Sequence, residues 1–176
     1  MNCLFPMVIL LSIFLGRDSI YDIDIQLVAS GQPVSMYSFA NKKILIATIS
    51  SANPDTVQLR FLDSLQTADT SLSIIAVPVI AGKDGGNDRF IANLQSSMAL
   101  DFIITKSARA KKNEGSNQHS LFRWLTNVTG NGHFDADAGG PGQLFVISRS
   151  GILYGVLEKN VPLHILTNTL KQELIK

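Results

Sequence analysis

The sequence predicts an α/β domain with a central mixed sheet flanked by helices, completed by a C-terminal β-hairpin and a last helix. Three observations carry this. Lys43 to Ile49 and Ser73 to Val79 are near-continuous apolar runs rich in β-branched residues, the pattern of strands buried on both faces of a sheet. Between them Val57, Phe61, Leu62 and Leu65 recur at helical spacing. Near the end, Leu144 to Ser148, the turn Ser150-Gly151 and Ile152 to Leu157 spell a β-hairpin.

The elements follow in order. Tyr21 to Val28 alternates loosely and stops at the turn cluster Ala29-Ser30-Gly31-Gln32-Pro33, and Val34 to Phe39 is a short extended or turn segment. After the first buried strand, Ser50 to Asp55 form a loop. Either Asp55 or Asn53 caps the next helix, with Pro54 in its first turn if Asn53 is the cap. The second buried strand leads through the Gly-rich turn Gly82 to Gly86 to a helix over Arg89 to Met98, with Phe90, Ile91 and Leu94 on one face. Asp101 to Thr105 is a short strand, Lys106 to Gln118 a basic, solvated loop, and Leu121 to Leu125 a short helix with Trp124 in the core. Thr129 to Gly142 is a long Gly- and Asp-rich loop. His164 to Ile175 closes the chain as an amphipathic helix.

The chain has 176 residues, enough for one domain with a sizeable core, placed at 19–176. Hydrophobic residues make up 45% and charged residues 16%, a globular balance. A formal net charge of +1 provides no field for gripping a phosphate backbone, so nucleic acid is not an expected partner. The single cysteine, Cys3, rules out a disulfide framework and a Cys-rich zinc site. Leu4 to Leu15 is an apolar run too short for a stable membrane span but of the length of a secretory signal core. Residues 1–18 are therefore expected to direct export to a periplasmic or extracellular location, although no Lys or Arg precedes the run and no cleavage site is clean. If they are not a signal, they are a hydrophobic extension of the domain and the location is cytoplasmic.

Strand, helix, strand, helix, strand, hairpin and final helix is the order of a thioredoxin-like fold. Within that frame Ser19-Ile20-Tyr21-Asp22, Thr48-Ile49-Ser50-Ser51-Ala52-Asn53-Pro54-Asp55-Thr56-Val57-Gln58, Leu121-Phe122-Arg123-Trp124-Leu125, Gly132-His133-Phe134-Asp135 and Gln143-Leu144-Phe145-Val146 stand out. In order and spacing, they resemble the glutathione peroxidase family from Ser19 to Ile175. The second segment lies without a gap over the family's Asn-Val-Ala-Ser-Lys-Cys-Gly-x-Thr-Pro-Gln, and the third resembles its Leu-Tyr-x-Trp-Leu helix.

The resemblance breaks at the family's catalytic residues. The peroxidatic cysteine or selenocysteine falls on Asn53, the catalytic Gln on Ala81, and the Trp-Asn pair on Gly139 and Gly140. The neighbouring cysteine of the Gln segment becomes Val79. Peroxide reduction needs a thiolate to attack an O–O bond, with donors that lower the thiol pKa and stabilise the leaving oxygen. An amide is not a nucleophile of that kind, and Ala81, Gly139 and Gly140 carry no side-chain donor.

Other candidates are fewer. Asn53 reads as a helix cap or loop turn, or as a hydrogen-bonding group at a ligand site. Asn131, His133, Asp135 and Asp137 alternate in a Gly-rich loop. His133, Asp135 and Asp137 are the sole metal candidate, though no bidentate Glu follows at the calcium-loop position. Gly82 to Gly86 lacks the phosphate-loop spacing and is a turn. Lys106, Arg109, Lys111 and Lys112 form a basic cluster which the resemblance places near the old pocket. It reads as a solvated surface run, or as the attraction for a small acidic thiol or an acidic protein. His119 and His164 are isolated and read as structural or exposed.

The expected function is thus a degenerate thiol-peroxidase-like protein serving as a binding or interaction module, with no cofactor and no catalytic residue. Two alternatives are a peroxidase working without cysteine, through a metal or cofactor, and an exported structural domain without a small ligand.

Overall fold

The computed structural model describes residues 18–82 and 85–172. Cys3 and the apolar run Leu4 to Leu15 lie outside them, as does the middle of the Gly82 to Gly86 turn. Two short strands, β1 (Asp24–Gln26) and β2 (Pro33–Ser35), form an antiparallel ribbon near the start. The main sheet has five strands: β3 (Lys43–Ser50), β4 (Leu72–Val79), β5 (Ile103–Ile104), β6 (Leu144–Ile147) and β7 (Leu153–Leu157), in the order β5-β4-β3-β6-β7. Strands β3, β4 and β5 are parallel, while β6 runs antiparallel to β3, and β7 to β6.

The near-continuous apolar runs are explained by layers on both faces. On one face Ile44, Ile46, Ile75, Val77, Phe145 and Ile147 pack with Ile20, Met36, Phe122 and Trp124. Trp124 is buried as expected and its indole N–H donates to the Asp18 carbonyl at 2.8 Å, pinning the start of the domain. On the other face Leu45, Ala47, Ile49, Ile74 and Val146 meet Leu59 and Leu62 of α1 (Thr56–Ala68), Ile91 of α2 (Asp88–Ser97) and Leu166 of α5 (Leu163–Lys171). A fully buried Leu, Ile or Phe is worth about 1.5–3 kcal/mol over an exposed one, so these layers hold the sheet.

Several expectations need correction. The cap of α1 is Asp55, whose Oδ1 accepts from the Val57 and Gln58 amides at 2.9 and 3.4 Å; Asn53 stands outside the helix. Val57 and Phe90 are exposed, because the buried arcs of their helices are set by Leu59 and Leu62, and by Ile91. The strand read over Asp101 to Thr105 shortens to two residues. The loop read over Lys106 to Gln118 is not simply solvated. Ala108 bridges Val79 in parallel, Ala108 and Ala110 are buried, and a 3-10 turn covers Lys112–Asn117. A short helix α3 (Ser120–Leu125) follows, then α4 (Val128–Asn131) at the start of the long Gly-rich loop. Among the described residues no helix is long and apolar enough to cross a membrane.

Candidate functional site

The C-terminal ends of β3 and β4 lie side by side, with Ser50 opposite Val79. The β3–α1 loop carrying Asn53 leaves from the first, and Ala81 follows the second by two residues. Strand β6 enters antiparallel at Ala47, so the Gly139 to Gly142 loop reaches the same end of the sheet. The four positions of the expected degenerate site are thus brought to one end of the sheet by topology alone.

Thr48 fastens the last of these loops. Its buried hydroxyl lies 2.6 Å from the Gly140 carbonyl and 3.0 Å from that of Gln143. Its amide donates to the Gln143 carbonyl and its carbonyl accepts from the Gly142 amide, at 2.9 and 2.8 Å. The Gln58 amide reaches the Thr48 carbonyl at 3.2 Å, linking α1 to the same point. The side-chain oxygen of Gln143 accepts from the Gly139 amide at 2.7 Å, while its Nε2 stands 3.4 Å from Glu158 Oε1. Thr48, Gln58 and Gln143 are not among the site residues expected from sequence. Thr48 had a signal, as a hydroxyl inside an otherwise apolar strand; Gln143 and Gln58 had none, because a glutamine beside a loop or in the first turn of a helix is ordinary there.

Asn53 is exposed in its loop. Its backbone N–H donates to Ser50 Oγ at 3.0 Å, and among the described residues its side chain makes no hydrogen bond. Ala81 is exposed too. Gly140 has φ +99°, a backbone region that side-chain-bearing residues rarely adopt, and faces open space. At Gly139 an added Cβ would come within 3.3 Å of the Gln143 amide and the Glu158 carboxylate.

The basic cluster closes the rim rather than standing free in solvent. Arg109 donates to the Gly82 carbonyl at 3.3 Å and pairs with Glu114 at 3.1 Å. The Lys111 ammonium donates to the Ala138 carbonyl, just before Gly139. Lys112 pairs with Asp135 at 2.5 Å and gives its backbone N–H to Asp137 at 2.9 Å. The same contacts involve the metal candidate His133, Asp135 and Asp137. Both carboxylates are engaged by Lys112, His133 is exposed, and among the described residues no three His, Cys, Asp or Glu side chains are grouped to hold an ion.

His119 is structural, as read. Its Nδ1 accepts from the Leu121 amide at 3.2 Å and caps α3. Burial, reinforced by the Arg123 guanidinium, pushes its pKa below the usual histidine value. The native state therefore resists a proton that the unfolded chain accepts. The contribution is fully present above the unfolded value of about 6.5 and is lost as pH falls through the depressed native value. Urea unfolding between about pH 8 and about pH 5 is expected to show this loss, and His119→Asn, with a cap oxygen that does not titrate, to lack it. An equal acid loss in the variant would assign the effect elsewhere.

No protein-family model matches the chain, and no curated protein matches it either. Solved structures do. The apo form of Trgpx is 14% identical over 88% of this chain and 94% of its own, with a TM-score of 0.67. GPX1 of T. cruzi is 16% identical over 87% and 94%, with a TM-score of 0.57. A secreted disulfide oxidoreductase of Mycobacterium tuberculosis is 12% identical over 84% and 93%, with a TM-score of 0.56. The fold is accordingly the thioredoxin-like one, with a five-stranded mixed sheet between helices.

Proposed function

We propose that this chain is a glutathione-peroxidase-like domain that has lost peroxidase catalysis and acts as a binding or interaction module, exported by residues 1–18. The observation that carries the reading is Asn53. It occupies the β3–α1 loop, where the resemblance puts the peroxidatic thiol, and it is exposed and without a side-chain partner among the described residues. An amide there offers neither a thiolate nor a reducible group. Ala81, Gly139 and Gly140 at the same end of the sheet add no side-chain donor, so these three positions neither activate a nucleophile nor hold a leaving oxygen. Lys111 lines the rim instead, tied to its backbone, and presents positive charge to a small acidic thiol or an acidic protein segment.

Peroxide consumption coupled to glutathione or thioredoxin tests this on the pure protein. Wild type is expected to stay at the uncatalysed rate, and Asn53→Cys to consume peroxide slowly, because the thiol gains no activating donors. Turnover by wild type would remove the reading. A silent Asn53→Cys would leave the loss of catalysis standing but detach Asn53 from the thiol's position.

A further inference from the structure

Beside the first two turns of α1 lies a hollow of about 320 Å³, on a wall that Asn53 and the glycine pair do not share. Its apolar surface comes from Val57, Phe61 and Leu62 of α1, Leu144 of β6, and Val161 and Leu163 where α5 begins. The size falls within the range of about 300–1,000 Å³ in which small-molecule sites occur. Burial is graded across it. Leu62 and Leu144 form a buried floor, whereas Val57 and Leu163 at the mouth are 76% and 56% exposed. Scattered exposed apolar side chains are ordinary on a protein surface; two that border one hollow with an apolar floor form a continuous surface from water inwards.

Lys159 and Asp55 supply the charged groups of the rim. They are not equivalent. The Asp55 carboxylate is committed to the start of α1, accepting from two of its amides. Lys159 has no carboxylate partner among the described residues. Its stem lies across Gly142, where an added Cβ would sit 2.6 Å from the Lys159 Cγ, so the bare glycine is what lets the lysine cross the rim. An apolar hollow with one uncommitted cation at its edge is complementary to an amphiphile with an aliphatic tail and a single negative head.

We propose that this hollow binds a medium-chain aliphatic carboxylate, its tail on Leu62, Leu144 and Leu163 and its carboxylate at the Lys159 ammonium. The site goes beyond the reading above and does not depend on it, since none of Asn53, Ala81, Gly139 and Gly140 lines it.

The test titrates the isotope-labelled full chain with decanoate, and in parallel with decanol, below the concentrations at which either aggregates. Expected are saturable amide shifts confined to Gly142, Leu163 and the first turns of α1. Decanol is expected to bind about fivefold more weakly, the upper range for an exposed ion pair. Lys159→Gln should erase that preference, and Leu163→Asn should weaken both ligands on the order of tenfold by removing apolar contact. Both residues are exposed, so neither change threatens the fold. Absent or chain-wide shifts, equal affinity for acid and alcohol, or a preference that survives Lys159→Gln would each overturn the proposal. So would concentration-dependent sedimentation that shifts the same amides without ligand, because a second copy would then be the occupant.

Discussion

Asn131→Ala is expected to lower the unfolding free energy by about 3 kcal/mol, although it removes no apolar volume. Asn131 is 5% exposed and serves five backbone groups. Its Nδ2 donates to the carbonyls of Trp124, Leu125 and Phe134 at 2.8, 3.1 and 2.9 Å. Its Oδ1 accepts from the amides of His133 and Phe134 at 2.8 and 2.7 Å. The side chain thus joins the end of α3 to the start of the Gly-rich loop. Alanine leaves several of these groups without a partner in a space closed to solvent, at about 1–3 kcal/mol each, partly relieved by relaxation. Asn131→Asp should be no milder, because a carboxylate cannot donate to the three carbonyls. Urea denaturation of both variants is the measurement, and losses under about 1 kcal/mol would show that the knot is not structural.

Phe145→Ala is expected to cost about 3–5 kcal/mol. The ring is fully buried on β6, next to the central strand, and a truncation there opens a cavity that the paired strands cannot collapse around. It also meets Phe134 edge to face, with centroids 6.4 Å apart and planes at 77°. Phe134 is only partly buried, so Phe134→Ala should cost less. The double variant should reveal a coupling of about 0.5–1.5 kcal/mol between the rings. Additive losses would mean that Phe145 acts through the sheet alone.

How far the sequence could be read follows from where each signal lives. Strands β3 and β4 and the hairpin were legible because a strand covered on both faces must be apolar almost throughout. The end of α1 nearest the site was legible only as a choice, since Asp55 and Asn53 are both good caps and their order relative to Pro54 does not decide between them. The segment around Ala108 was misread because its composition is basic and polar while its structure comes from a distant strand, Val79. Asn131 was seen as one of a polar string and not as its anchor. Five backbone partners leave no trace in spacing. The convergence of Asn53, Ala81 and the glycine pair was available only through the resemblance; the register of β3 with β4 and β6 supplies it independently.

On the proposed reading, the geometry at Gly140 bears on whether a thiol-peroxidase reaction could be regained. A residue with a side chain placed there must either carry the strain of φ +99° or let the backbone rotate away. Rotation pulls on the carbonyl that Thr48 holds, and Thr48 is buried in the central strand. A codon change that restored a donor at this position would therefore be penalised in the fold before it could be rewarded in chemistry. A thiol placed at Asn53, where the resemblance puts it, meets no such barrier. The path back is open at the nucleophile and ratcheted shut at the backbone opposite it, so reversion would have to remake the loop first.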